Sequence, residues 1–270
     1  MATARSIAVA QTCPVAGDVQ ANLDEHVRLA RLAAAEGAQL VVYPELSLTG
    51  YELGLANGLA FAENDPRLAS LVDVAALYSL MLIAGAPVRI GSRLHIGAFI
   101  LAPDRTVGIY TKHYLGAFAP SASRDGVIPP AEATVFHAGE LNPLVRFDGS
   151  VAAVAVCADI GRAAHPQQAA DRGAQIYLAS MFVIPSDFAG DVAKLQRYAA
   201  QHSMMVALAN FGGPSGGLAA AGRSAIWSES GEVLIQLGPA GAGIAVVSED
   251  EQGRRVRAVM LDDQHAAKDA

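Results

Sequence analysis

Six stretches of this 270-residue chain, residues 6–12, 39–43, 81–87, 151–156, 174–179 and 205–209, are dominated by Ala, Val, Ile, Leu and Met. A strand with one wet face alternates apolar and polar residues. These stretches do not, so they read as strands covered on both faces. Helical patterns lie between several of them. Residues 22–36 carry Leu23, Val27, Ala30 and Ala34 at helical spacing, with Gly37 placed to end the helix. Asp65-Pro66 opens a second helix, with Asp as N-cap and Pro at its first position. Further helices are expected over 166–172 and 185–203.

Hairpin signals complete the pattern. Pro103-Asp104-Arg105-Thr106 separates residues 94–102 from 107–112, Asp148-Gly149-Ser150 separates 144–147 from 151–156, and Glu229-Ser230-Gly231 separates 224–227 from 233–237. Crossover helices mixed with hairpins imply an α/β chain whose mixed sheets lie between helices. No repeat or linker divides it. One domain over residues 1–270 is expected, with a polar C-terminal tail from about 249 that holds at most a short strand over 256–261.

Composition narrows the function classes. The chain is 52% apolar and 17% charged, against an ordinary charged fraction of about 25%, so disorder is excluded. Two cysteines cannot staple a secreted scaffold. A net charge of −7, a pI near 5.4 and the lack of any basic run exclude nucleic acid as an expected partner. The N-terminal apolar stretch, 7–10, is too short for a signal peptide, and no apolar run reaches the roughly 18 residues a membrane span needs. The reading is a cytoplasmic protein without a membrane partner. Its positive mean hydropathy (+0.31) must go into a core or a subunit interface.

Three reactive residues stand at strand ends. Lysine is scarce: Lys112, Lys194 and Lys268 are the whole supply, and only Lys112 ends a strand-like run. It is either an edge residue reaching water or a functional ammonium. Cys157 closes the most apolar strand, 151–156, and is either a small buried hydrophobe or a nucleophile where open α/β sheets place ligands. Glu45 follows Val41-Val42-Tyr43-Pro44; it is either a loop hydrogen-bonding group, with Thr49 as one partner, or a base whose pKa is raised by apolar surroundings. Cys13 has no acid–base partner near it in sequence and reads as structural.

Pro44-Glu45-Leu46-Ser47-Leu48-Thr49-Gly50-Tyr51, Tyr110-Thr111-Lys112-His113-Tyr114-Leu115 and Val156-Cys157-Ala158-Asp159 resemble, in order and spacing, the three signature segments of the nitrilase superfamily of carbon–nitrogen hydrolases. Glu132-Ala133-Thr134-Val135-Phe136 resembles the segment carrying that family's second glutamate, and Gly222-Arg223-Ser224-Ala225-Ile226 its C-terminal hairpin. The resemblance covers nearly the whole chain. It implies a four-layer α-β-β-α sandwich that pairs with a second copy, as a homodimer or larger homo-oligomer. It also implies a Glu45, Lys112 and Cys157 catalytic set, with Glu132 as auxiliary carboxylate and the Ala158 backbone N–H as oxyanion donor. No cofactor or metal is implied. The expected reaction is hydrolysis of a small linear amide through a Cys157 thioester. An N-carbamoyl amine or a nitrile as substrate, acyl transfer to another acceptor, and a silent binding scaffold are the alternatives.

Tyr51, His113, Tyr114, Arg162, Met181 and Phe182 are the pocket candidates. The chain departs from the family after the cysteine, where Ala158 replaces a common aromatic residue or Asn, and Gly161-Arg162-Ala163-Ala164 replaces an Arg-Phe-Pro-Glu-like run. Arg162 is either a contact for a substrate carboxylate or an exposed helix-start residue. His165 stands near the cysteine loop and either borders the pocket or does not. Gly213-Pro214-Ser215-Gly216-Gly217 matches the G-x-S-x-G pattern of serine hydrolases, but no helix is expected after it, so it reads as a loop.

Overall fold

The computed structural model describes residues 5–123 and 126–261. The strands are β1 Arg5–Gln11, β2 Leu40–Val42, β3 Met81–Ile90, β4 Arg93–Leu101, β5 Val107–Thr111, β6 Val145–Phe147, β7 Ser150–Val156, β8 Ile176–Ser180, β9 Met205–Ala209, β10 Ala225–Trp227, β11 Val233–Gln236, β12 Gly243–Asp250 and β13 Gly253–Met260. The helices are α1 Val19–Ala35, α2 Ala56–Leu59, α3 Ala69–Tyr78, α4 Ala164–Asp171 and α5 Phe188–His202.

The strands form two mixed sheets, a seven-stranded one ordered β13-β12-β1-β2-β3-β4-β5 and a six-stranded one ordered β11-β10-β9-β8-β7-β6. Each has a parallel centre, β1-β2-β3 in the first and β7-β8-β9 in the second, flanked by antiparallel strands. Alternate residues of the apolar strands face different partners, which explains the absence of polar alternation. Ile7 and Val9 of β1 face the other sheet, while Ala8 and Ala10 face α1 and α3. In β7, Ala152, Val154 and Val156 face the first sheet, while Ala153 and Ala155 lie under α4 and α5. Small Ala residues on the helix-facing sides let the helices approach closely. The result is the four-layer α-β-β-α sandwich expected.

The first helix begins at Val19, three residues before the start expected at residue 22, because Asp18 caps it, while Asp65 caps as expected, though through a short 3-10 turn, Pro66–Leu68. Asp18 accepts the Ala21 N–H at 3.0 Å to start α1, and Asp65 accepts the Arg67 N–H at 3.0 Å ahead of α3. The region expected as a polar tail from about 249 differs. Residues Gly253–Met260 pair along their whole length with β12, which pairs in turn with β1. The charged residues there occupy the outermost strand of the sheet, where ion pairs such as Arg255 with Asp250 at 2.6 Å replace a hydrophobic face. Residues 262–270, including Lys268, lie outside the described residues. No helix among the described residues is long and apolar enough to cross a membrane.

Candidate active site

Glu45, Lys112, Glu132 and Cys157 come from four separate stretches and meet at one end of the sandwich, against the core between the sheets. Glu45 lies just past β2. The chain turns tightly there, with Leu46 at a φ of +52°, and runs close over β3, where Gly85 leaves the room. A Cβ on Gly85 would fall 2.5 Å from both Leu46 N and Pro44 O. Beneath the turn, His26 stacks on Tyr43 at 4.2 Å, and its Nε2 accepts from Ser47 Oγ at 2.8 Å. Its Nδ1 donates to Asn22 O at 2.7 Å, and burial lowers its pKa to about 4, so the ring is neutral.

Lys112 follows β5 and is held on both sides: its N–H donates to Ile96 O at 2.8 Å and its carbonyl accepts from Gly139 N–H at 2.8 Å. Its side chain is fully buried, with Nζ 2.6 Å from Glu45 Oε1 and 2.7 Å from Glu132 Oε1. Glu132 starts a short 3-10 turn, Glu132–Thr134. Its Oε1 also accepts from Tyr51 OH at 2.7 Å, and its Oε2 from Gly116 N–H at 2.7 Å.

Cys157 follows β7 and opens a 3-10 turn, Cys157–Gly161, in a left-handed conformation, φ +44°. For a non-glycine residue this conformation is costly and typical of functional turns. The thiol donates to Phe182 O at 3.9 Å and feels the charge of the nearby Glu45 carboxyl. Glu45 Oε2 is buried and has no hydrogen-bond partner. One oxygen of Glu45 is thus fixed on the ammonium, and the other is left for a proton.

The electrostatics follow from burial and two nearby carboxylates. Burial, aided by Glu132 and opposed by Lys112, pushes the Glu45 carboxyl up to about 7. Burial works against the Lys112 ammonium, but Glu45, Cys157 and Glu132 outweigh it and hold its pKa above that of an ordinary lysine. Burial and then the Glu45 charge push the Cys157 thiol well above its ordinary value, against the pull of Lys112. The resting thiol is protonated beside a carboxyl balanced near neutrality. That arrangement suits general-base assistance during attack rather than a standing thiolate.

Of the pocket candidates, Tyr51 and Phe182 stand at this site. Their rings lie 5.1 Å apart, and Phe118, which sequence reasoning left unassigned, closes a triangle with them at 5.5 Å to each. Ala158 begins the turn behind the thiol, close to Gly116, where an added Cβ would lie 3.3 Å from the Ala158 Cβ. His113 stacks on Tyr110, ring centres 5.3 Å apart. Tyr114 is exposed, with the exposed Arg162 guanidinium 5.3 Å over its ring, so Arg162 reaches the surface and not the thiol. Met181 points the other way, into the helix-covered cluster with Tyr177 and Leu195, because successive residues of an extended segment face opposite sides.

His165 is buried between Tyr110 and Tyr177, behind the site. Ser215 lies in a loop, accepts the Tyr51 N–H at 2.7 Å, and precedes no helix, so the G-x-S-x-G match positions Tyr51. Sequence reasoning gave no role to Asp159, fully buried within the third motif, or to Asn210, whose Oδ1 accepts from Val183 N–H at 2.8 Å and fixes the segment carrying Phe182. Among the described residues no cluster of three or more His, Cys, Asp or Glu is arranged to hold a metal ion. A cleft of 520 Å³ is lined among others by Ser121, Ser123, Pro185, Ser186 and Leu218, and among the described residues no charged side chain lines it.

The Carbon-nitrogen hydrolase family model matches residues 6–258. A variant of the amidase from Nesterenkonia sp. AN1, showing covalent addition of the acetamide moiety of fluoroacetamide at the active site cysteine, superimposes with a TM-score of 0.79 at 27% identity. The alignment covers 91% of this chain and 90% of that one. A protein described as a hydrolase in the pqqF 5' region of Pseudomonas protegens is 29% identical over 239 residues, 86% of this chain and 78% of its own length. The glutamine-dependent NAD(+) synthetase of Mycobacterium bovis is 29% identical over 238 residues, 82% of this chain but only 35% of that protein, so this chain spans about a third of it.

Proposed function

This chain belongs to the carbon–nitrogen hydrolase family, and from that premise we propose that it hydrolyses the C–N bond of a small linear amide through a thioester on Cys157, releasing ammonia or an amine. The observation that carries this reading is the Glu45 carboxyl, which bonds the Lys112 ammonium through one oxygen, keeps the other buried without a hydrogen-bond partner, and acts electrostatically on the Cys157 thiol.

Glu45 takes the Cys157 proton as sulfur attacks the carbonyl carbon and the S–C bond forms. The carbonyl oxygen becomes an oxyanion, stabilised by the Lys112 ammonium and the Ala158 backbone N–H. Glu45 then returns the proton to the nitrogen, the C–N bond breaks, and ammonia or an amine departs. Water enters and loses a proton to Glu45 as it attacks the thioester. The C–S bond breaks, and that proton goes back to the thiolate. Glu132, tied to Lys112, Tyr51 and Gly116, keeps the ammonium charged and aimed.

The apolar rings of Tyr51, Phe118 and Phe182 packed together at this site support a neutral acyl group. The test is turnover of a panel of short amides by the wild type and by Cys157→Ala. Release of ammonia and acid by the wild type alone is expected, and equal turnover by both overturns the reading.

A further inference from the structure

Asp159 lies two residues past the thiol and is fully buried, and among the described residues no Lys or Arg forms a salt bridge with it. Its oxygens instead receive four donors. Oδ2 accepts from Val156 N–H at 2.9 Å and from Tyr110 OH at 2.6 Å. Oδ1 accepts from His113 N–H at 3.1 Å and Tyr114 N–H at 2.9 Å. A carboxylate offers about four lone-pair positions, and all are used. The donors are not scattered. Val156 precedes Cys157 at the end of β7 in the second sheet, while Tyr110 in β5 of the first sheet and His113 and Tyr114 just past it flank Lys112. One side chain therefore ties the backbone around the ammonium to the backbone before the thiol, across two sheets.

The Tyr110 arm is itself fixed from behind. Because Tyr110 O–H donates to Asp159, its oxygen accepts from His165 Nε2–H at 2.9 Å. His165 Nδ1 then accepts from Tyr177 O–H at 2.8 Å. Every donor in this chain of four side chains has an acceptor when the imidazole is neutral. A buried polar network satisfied in this way is stiff, and a stiff support is what a strained cysteine turn needs.

We propose that Asp159 is a positioning residue that sets the distance between the Lys112 ammonium and the Cys157 thiol, and so aligns the oxyanion contacts with the attacking sulfur. The proposal rests on the reading of Lys112 and Cys157 as reacting groups. Glu45 is not among the partners of Asp159; it is anchored separately by the turn after β2. Loss of the clamp should therefore damage amide turnover, which needs Lys112 aligned, far more than alkylation of Cys157 by iodoacetamide, which needs only Glu45.

An asparagine can keep one pair of donors and meets the other with an N–H group. The experiment compares wild type, Asp159→Asn, Tyr110→Phe and Cys157→Ala, with turnover expressed per cysteine that iodoacetamide can label. Asp159→Asn is expected to lower kcat by about 100-fold, as an ångström-scale misplacement does, with KM and the alkylation rate within about threefold of wild type. Tyr110→Phe removes one arm and is expected to lower kcat by about tenfold. It decides the question if Asp159→Asn does not fold. Unchanged kcat per labelled site, or a parallel fall of turnover and alkylation, overturns the clamp. Equal turnover by wild type and Cys157→Ala would instead overturn the reading on which it rests.

Discussion

Lys112 Nζ stands 2.6 Å from Glu45 Oε1, and both side chains are wholly shielded from water. Such a pair is costly to bury, and it persists here because Glu132 contributes a second carboxylate at 2.7 Å. The three groups differ in what they have left to offer. The Lys112 ammonium donates to both carboxylates. Glu132 has its oxygens bonded to Lys112, Tyr51 and Gly116. Glu45 alone retains an unpartnered oxygen.

Glu45→Gln is expected to lower kcat/KM by about 10²–10⁴-fold, the range for removal of a general base. In the wild type, kcat/KM should fall with unit slope as pH drops through about 7, because Glu45 is then protonated. The same shift acts on stability. The Glu45 carboxyl rises from 4.5 to about 7 on folding, so its contribution is fully present below 4.5 and is lost as pH rises through about 7. Subtracting the urea stabilities of Glu45→Gln from those of wild type across this window isolates that loss. A flat difference would contradict the raised carboxyl.

Gly85→Ala places a methyl group 2.5 Å from Leu46 N and Pro44 O, and backbone cannot yield as a side-chain tip can. A loss of about 1–3 kcal/mol is expected, as for overpacking elsewhere. Activity should fall more than stability explains, since the displaced turn carries Glu45. Urea unfolding and kcat on the folded fraction measure the two effects.

Cys157 sits at φ +44°, where an L-residue costs about 1–2 kcal/mol and glycine costs little. Cys157→Gly should therefore be at least as stable as Cys157→Ala. In a relaxed turn the order would be reversed. Chemical denaturation of the two inactive variants decides, and a clearly less stable glycine variant would show that the turn is unstrained.

Much of this was legible in the sequence, for physical reasons. Strands buried on both faces lose polar alternation, so the runs around Val9, Val154 and Leu178 announced themselves, and Glu45, Lys112 and Cys157 stood out as reactive groups at their ends. Asp159 did not, because three of its four donors lie 45–49 residues away and only the fold brings them in. The left-handed Cys157 left no trace, since the usual marker of that conformation is glycine. Strand β13 runs longer than its sequence suggests because an outermost strand needs no apolar face, and Arg254, Arg255 and Arg257 look like a solvated tail. Met181, a pocket candidate in the sequence, faces the helices instead, because neighbours in an extended segment face opposite ways.

The most direct test is the intact mass of the protein, quenched during turnover of a short neutral amide such as butyramide. The wild type should gain the mass of one acyl group, mapped to Cys157 by peptide analysis, and Glu45→Gln should change the amount trapped. Turnover with no acyl adduct on Cys157, or an adduct that persists in Cys157→Ala, would contradict the thioester mechanism.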